Sequence, residues 1–378
     1  MTFKKASLLV HRWLGLTTGL IVFVVSLSGA VFAFQDEIRD AVEPWRQVAV
    51  SGPELPPSRL QAEALRHHPG HKANYLMYLG PGRAAVVYLS DKNEGSFVAY
   101  VNPYTGRELH YQNLRRDFFT IVQYLHMYLL LPPDIAKWIV GPAVLIFVVM
   151  LVTGLILWWP KRKTDRHRSL TIKWGARWRR INYDLHNVVG FYAASIAFVL
   201  AFTGLMMSYE WVRDSAIFVS NAGRGYPAEK ATPVIDTLQA VTAPATPLID
   251  VFYARMRKQS AGYAMLFLAA PSSAKEPVFA IAYQEALRFY HRDDYYFHPV
   301  SGKLLKFLPH GSKSNGTKLV DMNYDLHTGL ILGLGGKIVA FLGSLISASL
   351  PVTGFLVWWG KRNKPKKLRE PAGVLVGA

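Results

Sequence analysis

The chain contains no cysteine. Disulfides, iron–sulfur clusters and covalent haem attachment through C-x-x-C-H are therefore excluded, and any redox centre must be held by His, Met, Tyr or carboxylates. The lack of thiols is compatible with an oxidising compartment. Charge is missing from four windows, Leu14–Phe34, Trp138–Trp159, Asn187–Tyr209 and Ile338–Trp359. Each is long enough to cross a bilayer core as a helix, which takes about 20 residues. No small-x-small cleavage site closes the first apolar run, so it reads as an uncleaved anchor. None of the windows carries an ionisable Asp, Glu, Lys or Arg to mark an ion path, which argues against a transporter. No flavin or nicotinamide fingerprint is visible either, so reducing equivalents for any redox work come from a cytoplasmic partner or a quinol.

Acidic residues are scarce in three further stretches. Residues 1–13, 160–185 and 360–378 hold 18 of the 43 Lys and Arg but only three acids, Asp165, Asp184 and Glu370. By the positive-inside rule these segments face the cytoplasm, both termini with them, and the long stretches 35–137 and 210–337 lie outside. The formal net charge of +18 is thus mainly a topology signal, and nucleic acid is not an expected partner.

What is present is a repeat. His11, Gly15, Ser28 and Gly29 are matched by His186, Gly190, Thr203 and Gly204 in the pattern H-x3-G-x12-[ST]-G. Four residues make about one helical turn and eighteen make five, so histidine and glycines share a helix face. The second span of each half ends alike, in Val152-Thr153-Gly154…Trp158-Trp159 and Val352-Thr353-Gly354…Trp358-Trp359, each followed by Lys-Arg. Paired Trp before basic residues marks a membrane interface. Two Pro-x-[ST]-Gly turns, at Pro103–Gly106 and Pro299–Gly302, follow strand-like runs at Ala84–Ser90, Ser96–Val101, Tyr263–Ala269 and Val278–Tyr283. Helical patches are expected at Pro57–His68 and Pro233–Val241.

The fold class expected is therefore a membrane protein of four transmembrane α-helices in two parallel repeats, each half carrying a periplasmic α+β domain. The boundaries are 8–34 (first span), 35–117 (first outer domain), 118–160 (outer-face helix and second span), 161–185 (basic cytoplasmic loop), 186–210 (third span), 211–320 (second outer domain), 321–360 (outer-face helix and fourth span) and 361–378 (cytoplasmic tail).

Four of the twelve histidines sit beside the spans. His11 and His186 open spans one and three at the inner edge. His126, in the uncharged run Phe118–Leu131, and His327, in Leu326–Leu334, precede spans two and four in what read as short outer-face helices. The pentapeptide Asn-Tyr-Asp-Leu-His occurs twice, at 182–186 and 323–327. The pairs His11/His186 and His126/His327 offer two ligands each. That is too few for structural zinc and suits a haem iron, where the porphyrin supplies four nitrogens. Gly29 and Gly204 fall at the level of the outer pair and Gly154 and Gly354 near the inner pair, where they are expected to make room for a porphyrin. Arg12, Arg115, Arg116, Arg180, Lys137 and Lys337 are candidate propionate partners. The aromatic stretch Arg288–His298, with His298 and His310, is a candidate substrate-facing element.

The motifs Leu9-Val10-His11-Arg12-Trp13-Leu14-Gly15 and Tyr124-Leu125-His126, the two Val-Thr-Gly…Trp-Trp-x-Lys-Arg ends and the Pro-x-[ST]-Gly turns resemble the PepSY-associated transmembrane family of bacteria. Within it the chain looks like the FoxB-type inner-membrane ferric-siderophore reductases. That resemblance implies two non-covalent b-type haems on histidine pairs and reduction of Fe(III) in periplasmic siderophore complexes of the ferrioxamine type. A rival expectation is a periplasmic peptide- or peptidase-binding PepSY membrane protein without electron transfer. It accounts for the outer domains but not for four matched histidines.

Overall fold

The computed structural model describes residues 2–362 apart from 94, 161, 226–228, 230, 236–241 and 261. In chain order the helices of more than five residues are α1 (Phe3–Ala33), α2 (Gln35–Val42), α3 (Pro57–His67), α4 (Phe118–Tyr128), α5 (Val140–Trp158), α6 (Trp178–Ser208), α7 (Glu210–Ser220), α8 (Leu248–Gln259), α9 (Asn315–Thr328) and α10 (Gly333–Arg362). Four of them, α1, α5, α6 and α10, are long and apolar enough to cross a membrane. They close a ring in which α1 packs on α5 and α10, and α6 packs on the same two. Small residues bring the backbones together, as they do where lipid provides no hydrophobic drive. A Cβ built on Gly19 would lie 3.2 Å from Cβ of Pro351, and one on Gly190 would lie 3.2 Å from Cδ2 of Leu350.

The segments between the spans fold together. The strands are β1 (Lys72–Tyr78), β2 (Ala85–Ser90), β3 (Ser96–Val101), β4 (Glu108–Asn113), β5 (Met265–Ala269), β6 (Val278–Tyr283), β7 (Arg292–Phe297) and β8 (Leu304–Leu308). They form one antiparallel sheet in the order β4-β3-β2-β1-β5-β6-β7-β8. Two separate α+β units were expected; instead β1 pairs with β5, from Tyr75↔Ala269 to Tyr78↔Leu266. The physical reason is the edge. Alone, each four-stranded half would expose β1 or β5, both rich in buried apolar residues, as an unpaired edge strand. α3 and α8 cover one face, placing Leu60, Ala64, Phe252 and Met256 against Leu76, Val87, Leu268, Ala280 and Phe297. The Asp250 carboxylate joins the two helices by accepting from the Ser58 backbone N–H and hydroxyl, at 2.9 and 2.6 Å.

Other differences have local causes. The helix of the second insert that covers the sheet is α8, while most of the expected Pro233–Val241 patch (236–241) lies outside the described residues. His327 closes a 14-residue helix that begins at Asn315, instead of opening one at Leu326. The Ser314 side chain caps that helix by accepting from Thr317 N–H, and Gly329, at φ +77°, stops it. The third span starts early, at Trp178, and passes through a π turn at Leu185–Val189 that contains His186. The two Pro-x-[ST]-Gly turns are the β3–β4 and β7–β8 hairpins. Gly106 (φ +79°) and Gly302 (φ +71°) hold the left-handed positions that a side chain would strain.

Candidate functional site

The ring of helices brings the four histidines into two pairs. Imidazole centroids of His11 and His186 are 6.3 Å apart. Those of His126 and His327 are 5.9 Å apart, at the end of the bundle nearer the sheet. The two levels are well separated. His11 lies opposite Gly154 while His126 lies opposite Gly29, and eighteen residues of α1 span about 27 Å.

Each ring is anchored through Nδ1 to a neighbouring helix. His11 meets Thr153 Oγ1 on α5 at 3.0 Å. His186 meets Thr353 Oγ1 on α10 at 3.0 Å. His327 meets Thr203 Oγ1 on α6 at 2.9 Å. His126 meets the Val25 carbonyl on α1 at 2.8 Å. The carbonyl can only accept. The three hydroxyls spend their own hydrogens on backbone carbonyls one turn back, Val149, Ser349 and Val199, so they too accept. All four imidazoles therefore carry the proton on Nδ1 and keep the Nε2 lone pair free of any hydrogen bond among the described residues. This is the arrangement a metal-ligating histidine requires, since the partner of one nitrogen fixes the tautomer and ring orientation of the other.

The [ST]-Gly pairs also serve the histidines themselves. An imidazole stands beside each glycine, and Gly154 and Gly354 in addition line the inner cavity. A Cβ on Gly29 would sit 2.9 Å from Cε1 of His126, and one on Gly354 would sit 3.0 Å from Cε1 of His186. On Gly204 it would sit 3.3 Å from Cε1 of His327, and on Gly154 it would sit 3.4 Å from Cε1 of His11. The hydroxyl residue orients the ring and the glycine lets it approach. Serine 28 departs from this pattern: its hydroxyl donates to the carbonyls of Val24 and Val25, the latter being the one that His126 uses. The contacts rank the substitutions. Gly29→Ala forces the His126 ring to move and is expected to cost about 1–3 kcal/mol, as overpacking does. Gly154→Ala meets an ordinary contact and leaves the thermal midpoint in detergent nearly unchanged. Equal losses in the two variants would contradict this packing.

A cavity of about 1250 Å³ opens between the helices at the His11/His186 level. His11, His186, Arg12, Gly15, Gly154, Gly190 and Gly354 line it, with Trp158, Phe191 and Tyr183. Along α5 its lining runs from Phe147 to Trp158, about 16 Å of helix. Its walls are largely apolar and its open end is basic, carrying Lys4, Lys5, Lys361 and Arg362. Among the described residues no group of three or more His, Cys, Asp or Glu could hold a metal ion. The histidines come in twos, so any metal they share must bring further ligands of its own.

A family comparison agrees with this architecture. The model of the PepSY-associated TM region matches residues 8–361. The chain belongs to that family. A comparison with curated proteins finds no match.

As a PepSY-associated membrane protein the chain keeps some expected partners and loses others. Arg12 is exposed and lines the cavity. Lys337 is buried and donates to both carboxylate oxygens of Glu37, at 2.9 and 2.8 Å, tying α10 to α2. Arg180 pairs with Asp184 at 2.8 Å, and Lys137 pairs on the surface with Asp134 at 3.3 Å. These three are committed within the protein. The Arg288–His298 stretch is mainly strand β7, and Tyr295 and Phe297 are fully buried in the sheet core. His298 caps the β7–β8 hairpin, its Nδ1 accepting from the Val300 and Ser301 N–H groups. Asn102 does the same for Tyr104 and Thr105 in the first hairpin. His310 packs edge-on to His291, with centroids 4.5 Å apart. Burial and the neighbouring His291 hold its pKa below the usual histidine value.

Proposed function

We propose that this PepSY-associated protein is a di-haem transmembrane electron-transfer protein that reduces Fe(III) in siderophore complexes at the periplasmic face. The observation that carries the reading is the pair of facing imidazoles at each end of the bundle, each with Nδ1 occupied and Nε2 bare. A histidine nitrogen sits about 2 Å from its metal, so two rings sharing one metal have centroids about 6 Å apart. The separations of 6.3 and 5.9 Å suit histidine pairs that would each hold one b-type haem. When bound, haem supplies a one-electron Fe(III)/Fe(II) couple at each level.

The chain's own part is to hold, space and insulate. His11 with His186, and His126 with His327, fix the two sites. The apolar walls of the inner cavity keep water from the lower one. Arg12 and the basic cavity mouth suit acidic groups at its edge. The basic segments support a topology with the termini and the His11/His186 level on the cytoplasmic side of the inner membrane and the sheet in the periplasm. There an Fe(III) chelate is the substrate. Hard oxygen donors hold Fe(III) more tightly than Fe(II), so gaining one electron loosens the complex. A FoxB-like reductase of ferrioxamine-type chelates fits this arrangement. A peptide- or peptidase-binding role would leave both anchored histidine pairs without a use.

The function is tested by reducing the purified protein with dithionite, removing the excess, and adding Fe(III) held by a trihydroxamate. The expected result is stoichiometric reoxidation with release of Fe(II) to a ferrous chelator. Reduced protein that stays reduced for hours with the chelate in excess would refute the reductase reading.

A further inference from the structure

The twice-written pentapeptide Asn-Tyr-Asp-Leu-His has a physical use beyond its histidine. Asn182 donates from Nδ2 to the Thr353 carbonyl at 3.1 Å, and Thr353 Oγ1 accepts from His186. Asn323 donates to the Thr203 carbonyl at 3.1 Å, and Thr203 Oγ1 accepts from His327. In both copies asparagine and histidine, four residues apart, grip the carbonyl and the hydroxyl of one threonine on the adjacent helix. Both asparagines are buried, at 3% and 6% exposure. Their Oδ1 atoms find no hydrogen-bond partner among the described residues, which is a cost normally avoided in a protein interior. The other two histidines lack this grip. Four residues before His11 stands Ser7, whose hydroxyl turns back to Phe3 of its own helix at 3.0 Å, and four before His126 stands Val122.

We infer that Asn182 and Asn323 are positioning residues that lock one ligand of each histidine pair, His186 and His327, by a grip that His11 and His126 lack. This rests on the reading of the four histidines as haem ligands. The grip works by fixing a threonine at two points. With its carbonyl held, the hydroxyl cannot swing away as the helices shift, so the imidazole keeps its rotation about the metal axis and its Nδ1 proton. Partners of this kind set ligand basicity and orientation, and their loss costs roughly 10–100-fold in affinity. Each site thus has one ligand from the second half of the chain held through an asparagine-gripped threonine and one from the first half without that grip.

The test uses the haem-loaded full chain. Low-spin ferric haem with two imidazoles gives an electron paramagnetic resonance signal whose position follows the relative rotation of the rings. Asn182→Leu and Asn323→Leu keep side-chain volume and remove the donor. Asn182→Leu is expected to move only the signal of the His11/His186 site and weaken haem retention there by roughly 10–100-fold. Asn323→Leu does the same at the His126/His327 site, and Ser7→Ala moves neither. Should a leucine variant fail to accumulate, Thr353→Val and Thr203→Val remove only the hydroxyl and must move the same signals. Unmoved signals at full haem content in these variants, or an equal displacement in Ser7→Ala, would overturn the inference. A wild-type protein without two such signals would instead contradict the functional reading itself.

Discussion

On the proposed function, His327→Ala is expected to leave one haem of two on the chain and to bring electron delivery to a ferric chelate down to background. The expectation follows from how α9 is held. Its first turn is capped by Ser314, with Gly316 N–H bonded to Asn221 Oδ1 at 2.7 Å. Its middle is pinned through Asp321, which accepts from Arg292 at 2.8 Å and from Lys313 at 2.7 Å. Near its end Asp325 accepts from the backbone N–H groups of Phe289 and Tyr290, at 2.9 and 3.0 Å. None of these bonds uses the imidazole, so the helix remains when the ring is removed. Thr203 keeps its bond to Val199. The loss therefore falls on the ligand site and not on the fold. Haem content by pyridine haemochromogen and iron release under the conditions above read the two effects separately. His11→Ala is the counterpart at the other level. Two haems retained in either variant would mean that the ligands have been misassigned.

Lys313→Met produces the largest expected loss of stability, about 3–5 kcal/mol, the usual cost of stranding a buried charge. Lys313 and Asp321 side chains are fully buried, and Asp294 nearly so. The Lys313 ammonium donates to Asp321, to the Arg292 carbonyl at 3.0 Å and pairs with Asp294 at 3.1 Å. Arg292 completes the group with contacts to Asp294 at 3.2 Å and Asp321 at 2.8 Å. Without Lys313, one guanidinium faces two buried carboxylates, which leaves one negative charge uncompensated in a dry interior. Adding Asp321→Asn removes the excess charge and should recover part of the loss. Thermal midpoints in detergent check this. An unchanged midpoint at neutral pH would show that the group is hydrated and not the dry contact described. The same ion group ties β7 to α9 and so fixes the helix bearing His327 relative to the sheet.

Much of this was legible in the sequence because the constraints are periodic. An uncharged run of about twenty residues has few uses outside a membrane, and β2, β3 and β6 announce themselves by β-branched and aromatic residues. Strand β7 was hidden because Arg292, Asp293 and Asp294 disfavour a strand locally. Besides the local Arg292–Asp294 contact, their charges are met by distant partners, Asp321 with Arg292, Lys313 with Asp294, and Tyr263 and the His310 N–H with Asp293. The pairing of β1 with β5 joins segments nearly two hundred residues apart, and no local pattern specifies it. Four histidines at span edges were readable, as were their partners across the halves. The purpose of the glycines was not. Spacing shows that Gly29 and Gly354 need room but not what fills it, and the answer depends on a ring arriving from another helix. The asparagine of each repeated pentapeptide was visible as a repeat, yet its hydrogen bond to a neighbouring threonine carbonyl exists only in the packed bundle.

The central claim is that the two histidine pairs each hold a haem. Its most direct test is the visible spectrum of the purified full chain, expressed with ample haem, before and after dithionite, with haem counted against protein. The account predicts a low-spin bis-histidine b-type spectrum at two haems per chain. A colourless protein, or a single haem that persists in both His11→Ala and His327→Ala, would contradict it.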